Sequence, residues 1–246
     1  MSQTQTLSDG RPRSKGGKRG KPRSRLRRAL QPVWLVLLVL IASPLLLVPL
    51  YGFVNPPVTT VMLLKALGSA GIEKTWADLE DISPRLVRAV IGSEDQRFCT
   101  HHGIDWVEVQ NALDDDDGRF RGASTITMQT VKNLFLWTGR SWIRKGLEAP
   151  LALYAEFFLS KRRILEIYLN IVEWDTGVYG AEAAARHYFG TSALNLTDDE
   201  AARLAAVLPS PEHRDAANPG RGTARLARRI AARIPMMGSE TACIGG

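Results

Sequence analysis

Between Arg28 and Lys65 the chain has no charged residue, and from Val33 to Phe53 it is almost continuously apolar. A helix needs roughly 20 apolar residues to cross the hydrocarbon layer of a bilayer. The run therefore predicts one transmembrane helix over residues 30–53, ahead of whatever globular part the rest of the chain forms. Pro44 and Pro49 weaken its last turns, which membrane helices tolerate better than helices in water. The run is long for the apolar core of a cleaved leader, and no small-residue cleavage site follows it, so we read it as a retained anchor.

The formal net charge of +7 invites a nucleic-acid reading, and its location removes that reading. Ten of the 32 Lys and Arg residues fall within residues 1–28 beside a single acid, Asp9; the remainder carries 22 basic and 24 acidic side chains. The folded part is not basic, and no nucleic-acid partner is expected. The basic tail is rich in Gly, Pro and Ser and cannot bury a core. Basic flanks stay cytoplasmic, so residues 1–29 are expected inside the cell. A single-pass protein is expected, with everything after about residue 54 on the far side of the membrane. Residues 54–215 should form one globular domain, and 216–246 a basic helix and tail. That helix, over 222–234, would lie on the membrane surface or form a solvated face. Cys99 and Cys243 make no disulfide framework and are read as incidental, the second in a frayed tail.

From about Leu79 the pattern is helical, and nothing resembles an alternating strand series. Ser83-Pro84 marks an N-cap with proline at the first helical position. Leu86, Val87, Val90 and Ile91 then form a stripe ending at Gly92. Asp105 or a neighbour starts a short helix, Trp106 to Leu113. The acidic run Asp114–Asp117 reads as a solvated loop, because adjacent carboxylates repel and lack ligand spacing. Ser124-Thr125 caps a helix reaching about Leu136, with Gly122 giving room at its start. A long helical region follows over 142–169, which Pro150 should kink. Gly177 and Gly180 mark a loop, and Ala181–Phe189 a helix. Thr197-x-x-Glu200 is a capping box before Ala201–Leu208.

Four segments carry groups suited to chemistry. Glu94-Asp95-x-x-Phe98-x-x-His101-His102-Gly103 sets adjacent acids at the end of an apolar helix, where an apolar wall raises a carboxylate's pKa. The two histidines are too close for helical ligand spacing, which argues against zinc. In the second segment, 122–133, Thr125, Gln129 and Lys132 share a helix face. A helix N-terminus with hydroxyls and a lysine suits an anion. The third pairs Arg140 with Arg144-Lys145-x-x-Glu148. The fourth is Lys161-x-x-Ile-Leu-Glu-x-Tyr-Leu-Asn170. Taken singly, the first segment reads better as a cap with a surface acid and the second as an ordinary capped helix; Arg144 before Glu148 is the weaker order for a surface ion pair, and Leu165, Tyr168 and Leu169 of the fourth read as core.

Together, in this order and spacing over residues 80–211, they resemble the glycosyltransferase domain of bacterial peptidoglycan polymerases. That lysozyme-like family is shared by bifunctional penicillin-binding proteins and monofunctional transglycosylases. Departures are Met128 where glutamine is usual, Arg203 where leucine is common, Trp174-Asp175-Thr176 in place of an aromatic-glycine stretch, and Pro150. The resemblance implies a mainly α, lysozyme-like fold, and an inverting transfer that polymerises lipid II into β-1,4 glycan strands with release of polyprenyl diphosphate. It makes Glu94 the general base and Glu148 the partner carboxylate near the donor diphosphate. A divalent cation, Mg or Mn, is the one cofactor it allows there, and the metal ligands stay unknown. Lys132, Arg140 and Arg144 would neutralise the diphosphate. Ser124, Thr125 and Gln129 would line the donor site, and Asp95, Phe98 and His101 would support the first loop. It also implies that residues 54–215 are the catalytic domain, periplasmic and anchored by a single pass in a bacterial inner membrane, and that the partners are lipid II, the growing glycan chain, the membrane, and other cell-wall synthesis or division proteins. No Ser-x-x-Lys or Lys-Thr-Gly motif of a transpeptidase occurs, so the expected protein is monofunctional. A lytic glycosidase would have no purpose for the cations, and a non-enzymatic scaffold none for two retained glutamates.

Overall fold

The computed structural model describes residues 23–68, 71–114, 124–139 and 141–245. The basic tail before Arg23, the acidic loop beyond Asp114, Gly122 and Arg140 lie outside the described residues. The chain divides at Ala42 into an N-terminal unit and a unit running from Ser43 to Gly246.

The N-terminal unit contains most of helix α1 (Arg23–Leu50). Its Trp34, Leu35, Val36, Leu38, Val39 and Ile41 are exposed. Among the described residues no helix is long and apolar enough to cross a membrane; Val33, Leu37 and Leu40 of the run are outside those whose side chains are described. The end of the run has a different fate: Val48 and Tyr51 are buried in the core of the second unit. Tyr154 there donates its hydroxyl hydrogen bond to the Leu45 carbonyl at 2.8 Å.

The second unit is mainly helical. After α2 (Thr60–Ala66) and strand β1 (Glu73–Lys74) come α3 (Pro84–Glu94), α4 (Trp106–Asp114), α5 (Ile126–Phe135), α6 (Trp142–Phe158) and α7 (Lys161–Ile171). Strands β2 (Glu173–Asp175) and β3 (Val178–Tyr179) lead to α8 (Ala181–Phe189), α9 (Asp198–Val207) and α10 (Arg221–Arg233). Most predicted caps hold. Ser83 accepts from the Arg85 amide with Pro84 in the first turn, Asp105 accepts from Val107 and Glu108, and the Thr197–Glu200 capping box is complete. Each satisfies amides that a helix start leaves without partners.

Three expectations change. Residues 142–169 are two helices, not one: α6 runs unbroken through exposed Pro150 and stops at Leu159. Ser160 then caps α7 by accepting from Arg163. The 173–179 region supplies two strands of a small sheet completed by β1, in the order β1–β3–β2, with β1 parallel and β2 antiparallel to β3. Strands of two or three residues are too short to show alternation. Gly177 holds φ +80, and a Cβ there would meet the Gly71 carbonyl oxygen at 2.6 Å, so only glycine fits this turn. Finally, Cys99 and Cys243 are disulfide-bonded, with Cα atoms 5.4 Å apart. Two cysteines 144 residues apart show no pairing in sequence; the fold brings them together.

The core gathers α3, α5, α7 and α9. The stripe Leu86, Val87, Val90 and Ile91 is buried as its spacing predicts. Helix α7 is buried almost all round, from Ile164 to Ile171. Ala201, Ala202, Ala205 and Ala206 of α9 are fully buried; their small side chains let α9 pack closely against both α3 and α10. Arg203 faces outward and pairs with Asp199 at 2.6 Å, which explains how a charge is accommodated there. Ala227 and Ile230 of α10 are buried, so the basic amphipathic helix is a packed element of this unit. Asn170 is fully buried and binds both the amide and the carbonyl of Ala77 at 2.8 Å, fastening the segment after β1 to α7.

Candidate active site

Helix α3 ends on the candidate catalytic residue. The Ser83 cap and the buried stripe fix its axis, and its last residue, Glu94, emerges half-buried where two clefts meet. One cleft, of about 580 Å³, is lined by Glu94, Asp95, Ser124, Thr125 and Glu108. The other, of about 550 Å³, is lined by Glu94, Ala205, Pro209, Leu226, Arg229 and Met236. Arg233 of α10 lies on the walls of both.

Asp95 turns inward immediately after Glu94 and is buried. Its carboxylate accepts from His101 Nε2 at 2.9 Å and from the Ile126 amide at 2.9 Å. The second bond ties the start of α5 to the end of α3. Phe98 is fully buried, set edge-on to His101 with ring centroids 6.3 Å apart. The Lys161 ammonium lies 4.4 Å from the Phe98 centroid. Gly103 holds φ +85, where a Cβ would meet the Ala152 backbone at 3.0 Å. Its carbonyl accepts from the Thr125 hydroxyl at 2.6 Å. The loop 95–103 is thus fixed at both ends against the start of α5.

Asp95, His101 and Asp105 lie close enough together to resemble a cation site. Their oxygens already have work: Asp95 serves His101 and Ile126, and Asp105 caps α4 and pairs with Arg97 at 3.3 Å.

Helix α5 presents Gln129 and Lys132 to Glu94. Gln129 Nε2 donates to Glu94 Oε2 at 2.9 Å. Burial raises the Glu94 pKa, with Asp95 adding to the rise; the Gln129 bond, Lys132 and Arg214 oppose it. Burial likewise lowers the Lys132 pKa, with Arg144 and Lys145 adding to the fall and Glu148 and Glu94 opposing it. Thr125 is buried and caps α5 by accepting from Met128, so its hydroxyl is occupied twice by backbone. Met128 is buried in the core, on a different face from Gln129.

Glu148 on α6 is almost fully buried between two cations. Arg144 binds Oε1, and Lys145 binds Oε2 at 2.9 Å. Lys145 also donates to Ser124 at 2.7 Å, joining the carboxylate to the cleft wall. Lys145 was visible in the motif but not singled out in the sequence. With both oxygens of Glu148 engaged and Lys132 nearby, this donor set does not fit a divalent cation. The structure therefore brings together Glu94, Ser124, Thr125, Gln129 and Lys132, with Arg144 and Glu148 behind them. Arg229, Arg233 and Arg214 also reach the site, and no motif in the sequence marked them.

A half-buried glutamate at a cleft junction, with a lysine and arginines near it, is suited to proton transfer beside an anionic group. The family described as Transglycosylase matches residues 62–236. The chain is 53% identical over 212 residues to a "Biosynthetic peptidoglycan transglycosylase" of Rhodopseudomonas palustris (strain TIE-1), covering 85% of this chain and 89% of that one. It is 50% identical over 214 residues to the protein of the same name in Agrobacterium fabrum (85% and 94%). For that of Rhizobium meliloti (strain 1021) the figure is 50% over 226 residues (90% and 94%). The chain belongs to the transglycosylase family. It is an enzyme of peptidoglycan biosynthesis, a peptidoglycan glycosyltransferase.

Proposed function

We propose that this glycosyltransferase polymerises lipid II at the outer face of a bacterial inner membrane, with Glu94 as its general base. The observation that supports this most is the position of Glu94 at the meeting point of two clefts, with Gln129 and Lys132 behind it. An acceptor in one arm would offer its 4-hydroxyl to Glu94. The hydroxyl oxygen bonds to the anomeric carbon of the donor as its proton passes to the carboxylate. The bond from that carbon to the diphosphate oxygen breaks, and the polyprenyl diphosphate leaves with the electron pair. Attack opposite an α-linked leaving group gives the β-1,4 bond.

The raised pKa of Glu94 suits this role, since a stronger base takes the proton more readily near neutral pH. The leaving diphosphate is neutralised by Lys132, Arg144 and Arg140, with Glu148 holding the cations in register. Preorganised charge of this kind acts strongly where water is excluded. Ser124, Thr125 and Gln129 line the donor side. Asp95, Phe98 and His101 support the loop that follows Glu94. No step is assigned to a divalent cation.

Anchoring is read from the uncharged stretch between Arg28 and Lys65 and from the exposed apolar side chains of α1. The basic tail sets the N-terminus inside. A disulfide between Cys99 and Cys243 agrees with a periplasmic catalytic unit, because such bonds persist in oxidising compartments. A role in cell shape, and contacts with other cell-wall synthesis or division proteins, belong to the same reading.

Incubating the purified full-length chain with lipid II tests the proposal. A polymer that lysozyme degrades supports it, and the absence of polymer refutes it. Reporter fusions after residue 60 test the topology: activity of a cytoplasmic reporter there would overturn it.

A further inference from the structure

Tyr168 is one of the largest fully buried side chains, and its hydroxyl is not idle. It donates to Gln129 Oε1 at 3.2 Å, while Gln129 Nε2 donates to Glu94 Oε2 at 2.9 Å. Three helices, α7, α5 and α3, thus contribute one residue each to a single line of hydrogen bonds. A glutamine amide can present either its oxygen or its nitrogen to a carboxylate, and only the nitrogen donates. We infer that Tyr168 is a positioning residue that fixes the orientation of the Gln129 amide and so favours the ionised form of Glu94.

Chemistry favours one direction of this line. A phenol buried beside Glu94 and Asp95 has its pKa raised well above 10, burial being the larger cause. It stays protonated at any working pH and is a permanent donor. With its proton directed at Oε1, the Gln129 amide group must turn its nitrogen toward Glu94. Without the hydroxyl, Gln129 can rotate, and the hydrogen bond that favours the charged carboxylate is lost part of the time. The other charges around Glu94 are Asp95 at the end of α3, Lys132 on α5 and Arg214 after α9. Arg97, Asp105, Glu108, Arg229 and Arg233 line the same clefts. Removing the Tyr168 hydroxyl changes none of them.

The inference rests on Glu94 being the base, and its test separates the two. Tyr168→Phe keeps the buried ring and deletes only the oxygen. The acid limb of its kcat/KM profile on lipid II should move to higher pH by roughly 0.5–1 unit, since losing part of a hydrogen bond to a charged group raises the carboxyl pKa. The alkaline plateau should stay within about threefold of wild type, because the base itself is intact once ionised. In a Gln129→Leu background the same substitution should add no further shift, as there is no amide left to orient. A Tyr168→Phe limb that stays in place, while Glu94→Gln is inactive at every pH, overturns the inference alone. An active Glu94→Gln overturns the base assignment and the inference with it. Should the phenylalanine variant fail to fold, the wild-type side-chain amide of Gln129 decides. Its NMR resonances should titrate with the midpoint of kcat/KM, and resonances indifferent to pH would sink the idea.

Discussion

Cys243, near the end of the chain, is bonded to Cys99 in the loop that follows Glu94. The bond is one of several contacts that hold the C-terminal segment. Ile244 is buried, and its carbonyl accepts from Arg162 on α7 at 3.1 Å. Met237 packs so closely on Gly92 that a Cβ there would meet its sulfur at 3.2 Å. The end of the chain therefore braces the helix and loop on either side of the proposed base.

Reduction, or Cys243→Ser, is expected to lower stability by about 2–4 kcal/mol, the usual range for a bridge that closes a long loop. That corresponds to a fall of roughly 5–15 °C in the thermal midpoint for a unit of this size. Calorimetry with and without reductant measures it. The Cys243→Ser protein should be indifferent to reductant, and a wild-type midpoint unmoved by reductant would refute the role.

Glu94→Gln should lower polymerisation by the roughly 10²–10⁴ that loss of a general base removes, while lipid II binding persists. Lys132→Ala should weaken both binding and turnover, because it removes charge that faces the diphosphate. Near-normal turnover in Glu94→Gln with an inactive Glu148→Gln would mean the base is the other carboxylate.

The raised pKa of Glu94 also has a sign for stability. Unfolded, the group titrates near 4.5; folded, it titrates higher. Between those values the native state holds more protons than the unfolded state, so stability falls as pH rises through that window and stays lower above it. Glu94→Gln should therefore melt above wild type at pH 7 to 8. The advantage should shrink as pH falls toward 4.5 and vanish about a unit below it, where Glu94 is protonated in both states. A variant less stable at neutral pH would show that ionised Glu94 is not under strain.

Met128→Gln should keep polymerisation within about threefold, because Gln129 retains the bond to Glu94. Met128 is buried in the core, so an amide there without a full set of partners should cost about 1–3 kcal/mol. Thermal melting and initial rates, measured side by side, separate the two effects.

Removal of the N-terminal apolar segment has a defined cut. Deletion up to Ala42 should leave a folded unit with weaker activity on membrane-embedded substrate. Deletion up to residue 54 also removes Val48 and Tyr51 from the core. Each buried apolar side chain lost should cost about 2–4 kcal/mol, so the longer deletion should melt markedly lower or fail to fold. Equal stability of the two fragments would refute this.

The sequence by itself determined the local features. Ser83-Pro84, Asp105, Ser124-Thr125 and Thr197-x-x-Glu200 announced helix starts because capping is chemistry within four residues. The stripe on α3 announced its buried face because helical periodicity is local too. Glu94, Gln129, Lys132, Arg144 and Glu148 were legible through the resemblance that the ordered motifs bear to a known family, not through any one motif alone. What the tertiary structure alone decided are relations between residues far apart in the chain. The disulfide of Cys99 with Cys243, the Asn170 clamp on Ala77, the burial of Val48 and Tyr51, and the reach of Arg214, Arg229 and Arg233 to the site leave no periodic trace. The line from Tyr168 through Gln129 to Glu94 is of the same kind. Each of its residues sits in a readable motif, but hydrogen bonds between three helices depend on how those helices pack, and packing joins positions that no local pattern connects.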